Sequence, residues 1–273
     1  VTDYSDLIPA GIQNPRIKQY LAVKKNTKSN PENLLCLEGF WEVATALDNA
    51  LEFRAFFVCP ELLRGDTGHH LAQRVIESGV HSYLVSEKVM ERIADRDDPD
   101  GLAAIVRLPR HSWETLEMRD QMRLLVLDGV EIPGNVGTMI RSADSAGAHG
   151  VVITNRRTRL SHPKLLHASM GSIFSFPVIE SELDEAIDWL LANGFKIITT
   201  DTDATESYRK VDYTGRVAMV MGSERYGIMK DWYEAQSTSV AIPMAGRVDS
   251  LNVANAAVLM LYEAFSQQEP ERF

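Results

Sequence analysis

Short apolar blocks alternate with longer amphipathic stretches along almost the whole chain, the pattern of strands interleaved with helices. In the first half the blocks predict strands at 33–37, 53–58, 81–85 and 102–106, with helices at 39–50, 68–78 and 86–94, the last capped by Ser86. In the second half strands are expected at 124–130, 150–154, 174–179, 195–200, 217–221 and 239–243. Helices are expected there near 135–146, 163–171, 182–193, 230–236 and 251–266. Blocks such as Leu124 to Leu127 are apolar without alternation, which marks strands buried on both faces and hence a mostly parallel sheet covered by helices. The expected fold is α/β: a C-terminal, mostly parallel sheet over 123–273, preceded by a small α/β domain over 31–107. Residues 1–30 read as a polar, basic arm with a short helix starting at Asn14-Pro15 and stopping at Asn30-Pro31. The polar stretch 108–122 reads as a linker or boundary helix.

The segment Leu124–Val152 packs strand, turn, helix and strand into one unit. Pro133-Gly134 is a turn dipeptide, Asn135 an expected N-cap, and Gly147 a helix-ending residue. Arg141 follows Asn135 by fewer than two helical turns, so both can address a ligand over the helix N-terminus. A capping Asn and a solvated Arg on an ordinary helix fit the same residues. The dinucleotide reading is weak, because GNVG lacks the third glycine of G-x-G-x-x-G and residues 155–159, NRRTR, hold no acidic ribose partner.

Length and composition narrow the picture. The 273 residues suffice for one large or two medium domains, and 45% hydrophobic with 24% charged residues suits a soluble globular protein. Cys36 and Cys59 stand in no metal-ligand or disulfide spacing, which points to a reducing cytoplasm. No apolar run approaches bilayer length, so no membrane partner is expected. The net charge of −10 argues against general nucleic-acid coating. Basic residues nevertheless cluster in the arm (Arg16, Lys18, Lys24, Lys25, Lys28) and at Arg156, Arg157, Arg159 and Lys164, a distribution that fits selective docking as well as solvated loops. His162 and His167 read as structural or surface residues.

In open α/β sheets, ligands lie outside the carboxyl ends of the strands. Three such ends carry polar residues and glycines: Glu131 with Asn135 and Arg141; Gly222-Ser223-Glu224 with Gly227; and Gly246 with Ser250 and Asn252. Glycines there let backbone approach a flat ligand.

At these residues a family resemblance enters. Asn135, Gly137 and Arg141 as N-x-G-x-x-x-R, Gly222-Ser223-Glu224 as G-S-E, and Ile242-Pro243-Met244 followed by Ser250 to Ala256 (SLNVANA) together resemble the SpoU class of RNA ribose methyltransferases in the SPOUT superfamily, over about 120–266. Residues 31–107, opening with LLCLEGFWEVATAL, resemble the L30e-like substrate-binding domain that often precedes it. The resemblance implies a trefoil knot, although knots are otherwise essentially absent from proteins. It implies S-adenosylmethionine held by backbone around Thr199, Thr200, Gly222, Ile242, Met244 and Leu251, and RNA as substrate; the separate N-terminal domain favours ribosomal RNA, with a tRNA ribose as the alternative target. It also implies a homodimer, to which helix 251–266 can contribute, although the apolar residues of that helix serve a monomer core equally well.

Methylation of a ribose 2′-hydroxyl is an in-line displacement that needs alignment and removal of one proton, with no call for a metal. The family gives Arg141 the task of activating the hydroxyl. A guanidinium is almost never deprotonated, so a charge clamp on the neighbouring phosphate or on the developing alkoxide is chemically simpler. Asn135 would orient the ribose or Arg141, Glu224 would hold Arg141 or the cofactor side, and Ser250 with Asn252 would complete the polar wall. A non-catalytic RNA-binding module on the same fold is the alternative, against which the intact set Asn135, Arg141, Glu224 and Asn252 speaks.

Overall fold

The computed structural model describes residues 4–95 and 97–273. The chain divides into two compact units, Val1–Pro109 with Ser161–Pro163, and Arg110–Leu160 with Lys164–Phe273.

The first unit holds strands β1 (Ile8–Pro9), β2 (Leu34–Glu38), β3 (Glu52–Val58), β4 (Ser82–Leu84) and β5 (Leu102–Arg107), with helices α1 (Pro15–Lys24), α2 (Phe40–Asp48), α3 (Gly65–Glu77) and α4 (Glu87–Ile93). The strand order is β1-β4-β3-β5-β2, with β5 antiparallel to both of its neighbours, so the sheet is mixed. The polar arm expected over 1–30 is corrected, apart from residues 1–3, which lie outside the described residues. β1 pairs with β4, and the Ala10 N–H donates to Leu84 O at 2.8 Å. Asn14 caps α1 through the Arg16 N–H at 2.8 Å, and the helix drives Ile17 and Tyr20 into the core. It ends at Lys24 rather than at Asn30-Pro31. Lys24, expected on RNA, is instead spent inside the fold: its ammonium lies 2.8 Å from Asp95 and donates to Ile93 O at 2.5 Å. Lys25 beside it is exposed.

The second unit holds β6 (Met122–Asp128), α5 (Pro133–Ser145), β7 (Gly150–Thr154), α6 (Pro163–Ser169), β8 (Val178–Glu180), α7 (Leu183–Ala192), β9 (Lys196–Thr200), β10 (Arg216–Gly222), α8 (Lys230–Glu234), β11 (Thr238–Val240) and α9 (Val253–Gln268). All six strands are parallel, in the order β11-β9-β10-β6-β7-β8. Every residue of β6 is buried, as its unbroken apolar run requires of a central parallel strand. From β6 the chain builds outward through β7 and β8, then returns to build β9, β10 and β11 on the other side. The order therefore reverses between β6 and β10, and the carboxyl ends there are where such sheets take ligands.

Three local expectations change. Strand 174–179 shrinks to β8, because Ser172–Phe174 forms a tight 3-10 turn. Strand 239–243 stops at Val240, leaving 241–252 as an irregular loop. Asn135 is not an N-cap: Pro133 opens α5, where a missing N–H costs nothing, and Asn135 lies within the first turn with its carboxamide free for other work. At the opposite end of the unit Arg123, almost wholly buried, ties α5 to α9 by donating to Ala146 O at 2.9 Å and Gln268 Oε1 at 2.9 Å, with Glu269 at 2.6 Å. Its guanidinium also lies over the Phe265 ring, 4.7 Å from the centroid. Among the described residues no helix is long and apolar enough to cross a membrane.

Candidate active site at the carboxyl ends of β9, β10 and β11

A cavity of about 720 Å³ opens where β9, β10 and β11 end, walled by the segments 200–207, 221–228 and 240–251. Its size suits a cofactor-sized ligand. Two of its walls are stitched together, because the Ala241 N–H donates to Glu206 O at 2.8 Å and the Tyr208 N–H to Ala241 O at 3.0 Å. Gly222 must be glycine: a Cβ there would lie 2.4 Å from the carbonyl carbon of Gly227, so the wall passes closer to the strand end than any side chain allows. Asp201, Glu206, Glu224 and Asp249 line the cavity, and among the described residues no lysine, arginine or histidine does. Tyr233 also faces it, and burial together with the neighbouring Asp201 carboxylate pushes its phenol up to about 12.

The polar groups beside the cavity come from three distant parts of the chain. Asn135 donates its carboxamide N–H to Glu224 Oε1 and accepts at 3.4 Å from Asn252. Asn252 is in turn the N-cap of α9, its Oδ1 accepting from the Ala254 N–H at 3.0 Å. One side chain thus fixes a helix start and faces the site. Gly137, the motif glycine, serves packing instead: a Cβ would lie 2.4 Å from Leu165 O, so its absence lets α5 close on α6. Beneath the site the buried carboxylate of Asp128, at the end of β6, accepts from Thr154 Oγ1 at 2.9 Å, Asn155 Nδ2 at 2.7 Å and the Met229 N–H at 2.7 Å. It fixes the ends of β6 and β7 and the loop after β10 in one arrangement.

A family model described as the SpoU rRNA methylase family matches residues 122–262. The chain belongs to that family. A second model, the MRM3-like substrate binding domain, matches residues 14–104. An uncharacterized tRNA/rRNA methyltransferase of Synechocystis is 32% identical over 94% of this chain and 92% of its own length. The 23S rRNA (guanosine(2553)-2′-O)-methyltransferase RlmP of Bacillus subtilis is 27% identical over 92% of this chain and 96% of its own. Among solved structures, the AdoMet-bound rRNA methyltransferase of Sinorhizobium meliloti superposes with a TM-score of 0.84 at 28% identity, covering 93% of this chain and 95% of that one.

For a SpoU chain, the residues expected from sequence fall into distinct groups. Thr200, Gly222, Ile242, Met244 and Leu251, expected at the cofactor, line the cavity together with Glu224 and Ser250. Thr199 does not: strand alternation turns it inward, fully buried, with its hydroxyl 2.9 Å from Ser239 Oγ. Asn135, Glu224 and Asn252 meet. Arg141 is exposed on α5 and has no hydrogen bond or ion pair among the described residues. Of the basic loop, Arg156 is paired with Glu180 at 3.0 Å, while Arg157 and Lys164 are exposed and Arg159 is half-buried. Sequence reasoning missed Asp128, Asp201 and Tyr233. Asp128 left a signal, since it is a carboxylate at the end of a seven-residue buried strand, immediately before Gly129. Asp201 directly follows the last residue of β9.

Proposed function

We propose that this protein transfers the methyl group of S-adenosylmethionine to a ribose 2′-hydroxyl of ribosomal RNA. The observation that carries this reading is the meeting of Asn135, Glu224 and Asn252 beside a cofactor-sized cavity in a SpoU-family chain. The 23S rRNA specificity in the name of the Bacillus relative favours ribosomal RNA over tRNA. A ribosomal RNA target and two free cysteines suit a cytoplasmic protein.

The residues present fit the cofactor. Four carboxylates in a lining that holds no cation among the described residues suit a ligand that carries a sulfonium and an ammonium, and the bare Cα of Gly222 admits close approach. Thr200, Gly222, Ile242, Met244 and Leu251 would hold it, and when bound it supplies a methyl group on a leaving group that departs as a neutral thioether. Asn135, fixed between Glu224 and Asn252, orients the ribose. Arg141, solvated and always charged, clamps the adjacent phosphate or the oxygen as its charge develops. Ser250 completes the polar wall.

Residues 31–107 serve as the RNA substrate-binding domain, 108–122 as the connection and 123–273 as the methyltransferase domain, with Lys25, Arg157 and Lys164 reaching the RNA backbone. The trefoil knot belongs to this reading, supported by the insertion of β10 between β9 and β6 and by the pairing of the 200–207 and 241–251 walls. So does a homodimer through α5 and α9. Both helices keep exposed groups, with Ile132 at the head of α5 52% exposed and Tyr262 on α9 40% exposed.

The test is transfer of labelled methyl from S-adenosylmethionine to ribosomal RNA, followed by alkaline digestion, which leaves the linkage after a 2′-O-methyl ribose intact. Arg141→Ala should abolish transfer while leaving cofactor affinity close to wild type. Wild-type turnover in that variant would remove Arg141 from the chemistry.

A further inference from the structure

The G-S-E turn does more than wall the cavity. It continues into Arg225 and Tyr226 before returning at Gly227. Tyr226 is 68% exposed, more than any other Tyr, Trp or Phe among the described residues except Phe273. The Arg225 guanidinium lies over its ring, 5.2 Å from the centroid.

This turn is held firmly. Ser223 and Gly227 exchange backbone hydrogen bonds of 3.0 and 2.9 Å, and Gly227 takes the left-handed conformation, with φ of 68°, that closes it. The Ser223 hydroxyl accepts from the N–H groups of both Arg225 and Tyr226, at 3.2 and 3.3 Å. Glu224, between Ser223 and Arg225, is anchored by Asn135. The aromatic side chain is therefore displayed on a fixed support whose root is the cavity wall and whose middle residue bonds to the motif carboxamide.

An exposed tyrosine next to an arginine on a fixed turn is suited to a nucleobase. Every base has a π face that stacks on an aromatic ring or a guanidinium plane, and the cation adds attraction for the phosphate beside it. We propose that Tyr226, with Arg225 over its ring, is the platform on which the enzyme stacks an unpaired base of its RNA, beside the ribose to be methylated. The proposal rests on the RNA methyltransferase reading and adds the residue that positions the base. It commits to RNA rather than to a protein partner because the turn joins a cation and an aromatic face on a molecule of net charge −10, and because its root is the reaction cavity.

The experiment uses the full-length protein, saturating S-adenosylmethionine and ribosomal RNA isolated from cells lacking the gene. Tyr226→Ala should lose roughly tenfold in kcat/KM, the order expected for one stacked base, chiefly through the KM for RNA. Tyr226→Phe should restore it, since the ring rather than the hydroxyl does the work. The Tyr226→Ala deficit should persist as salt is raised, whereas the Arg225→Gln deficit should shrink. Calorimetric affinity for S-adenosylmethionine should be unchanged in all three variants. A Tyr226→Ala enzyme as active as wild type would overturn the proposal, as would a Tyr226→Phe enzyme as impaired as the alanine variant. A loss that tracks dissociation of a dimer in sedimentation would also overturn it, giving the side chain to a subunit contact. Wild-type turnover on the same RNA checks the methyltransferase reading, so the two ideas fail separately.

Discussion

Asn135 and Glu224 stand 89 positions apart and share a hydrogen bond, the carboxamide of Asn135 donating to Oε1 of Glu224. Because Asn135 also accepts from Asn252 at 3.4 Å, its two polar atoms are both committed, and the three motifs lock one another's orientation. Asn135→Ala removes the central member. Methyl transfer should fall by about a hundredfold, the scale of a misplaced reacting group, with cofactor affinity and thermal stability close to wild type. Paired kinetics and calorimetry check this. A variant that instead loses affinity for S-adenosylmethionine would move Asn135 from the ribose side to the cofactor side.

Gly222→Ala tests the close approach at the end of β10. The new methyl would meet backbone on one side, 2.4 Å from Gly227 C and 2.6 Å from Ile228 N, and backbone cannot step aside cheaply. A loss of about 1–3 kcal/mol in stability is expected, together with weakened cofactor binding, since the same loop walls the cavity. Gly134→Ala is the matched control: it lies in the first turn of α5 with open space around its Cα and should be neutral or stabilising by about 0.5–1 kcal/mol. Equal melting temperatures for the two variants would contradict the steric account.

Stability should decline as pH falls below the ordinary histidine value of 6.5. Burial lowers His111, whose two buried ring nitrogens find no hydrogen-bond partner among the described residues. Burial, then the charges of Arg123 and Arg119, lower His149, whose Nδ1 accepts the Arg123 N–H at 3.2 Å. Both rings stay neutral in the folded state at a pH where the unfolded chain already takes up protons. Their contribution is therefore complete above 6.5 and is lost on acidification. Glu269 and Asp212, lowered chiefly by hydrogen bonds from Arg123 and Lys196 respectively, lose their contributions only within and below the ordinary carboxylate range. Melting temperature followed from about pH 8 to 5 should flatten in a His111→Phe, His149→Gln double variant relative to wild type. An identical slope in the two proteins would assign the acid sensitivity elsewhere.

The basic loop after β7 divides by geometry. Arg156 is held by Glu180 through bonds of 3.0 and 3.2 Å, whereas Arg157 is exposed. Arg157→Ala should weaken RNA binding more than Arg156→Ala. The triple variant with Arg159→Ala should reduce the slope of log affinity against log salt by roughly one to two units. Lys24→Ala should instead lower the melting temperature with little change in RNA affinity, because its ammonium is bonded to Asp95 and Ile93. An unchanged salt slope in the triple variant would return the loop to ordinary solvated surface.

The sheet of the second unit could be read from the chain because its central strands are buried on both faces and hence dominated by Val, Leu, Ile and Met. The first unit was harder. Ile8–Pro9 is too short to show alternation, and Ile17 and Tyr20 sit in a short helix in which charged and amide residues interrupt the apolar ones. Asn135 illustrates the limit at the site: it has the chemistry of a cap, and only the proline two residues earlier hands that position to Ile132. The convergence of residues 135, 224 and 252 is a product of strand order, which no local pattern encodes. Sequence motifs named those residues, and the fold supplies the reason they belong together. Thr199 and Thr200 differ only by strand parity, and a pair of adjacent threonines gives no sign of which one faces the cavity.

The central claim is that a ribose in ribosomal RNA receives a methyl group through this cavity. Mapping 2′-O-methylation across total RNA from cells with the gene, without it, and complemented with Arg141→Ala tests that claim most directly. One ribosomal RNA position should carry the modification in the first, lose it in the second and fail to regain it in the third. Identical maps with and without the gene, or restoration of the modification by the Arg141→Ala protein, would contradict the account.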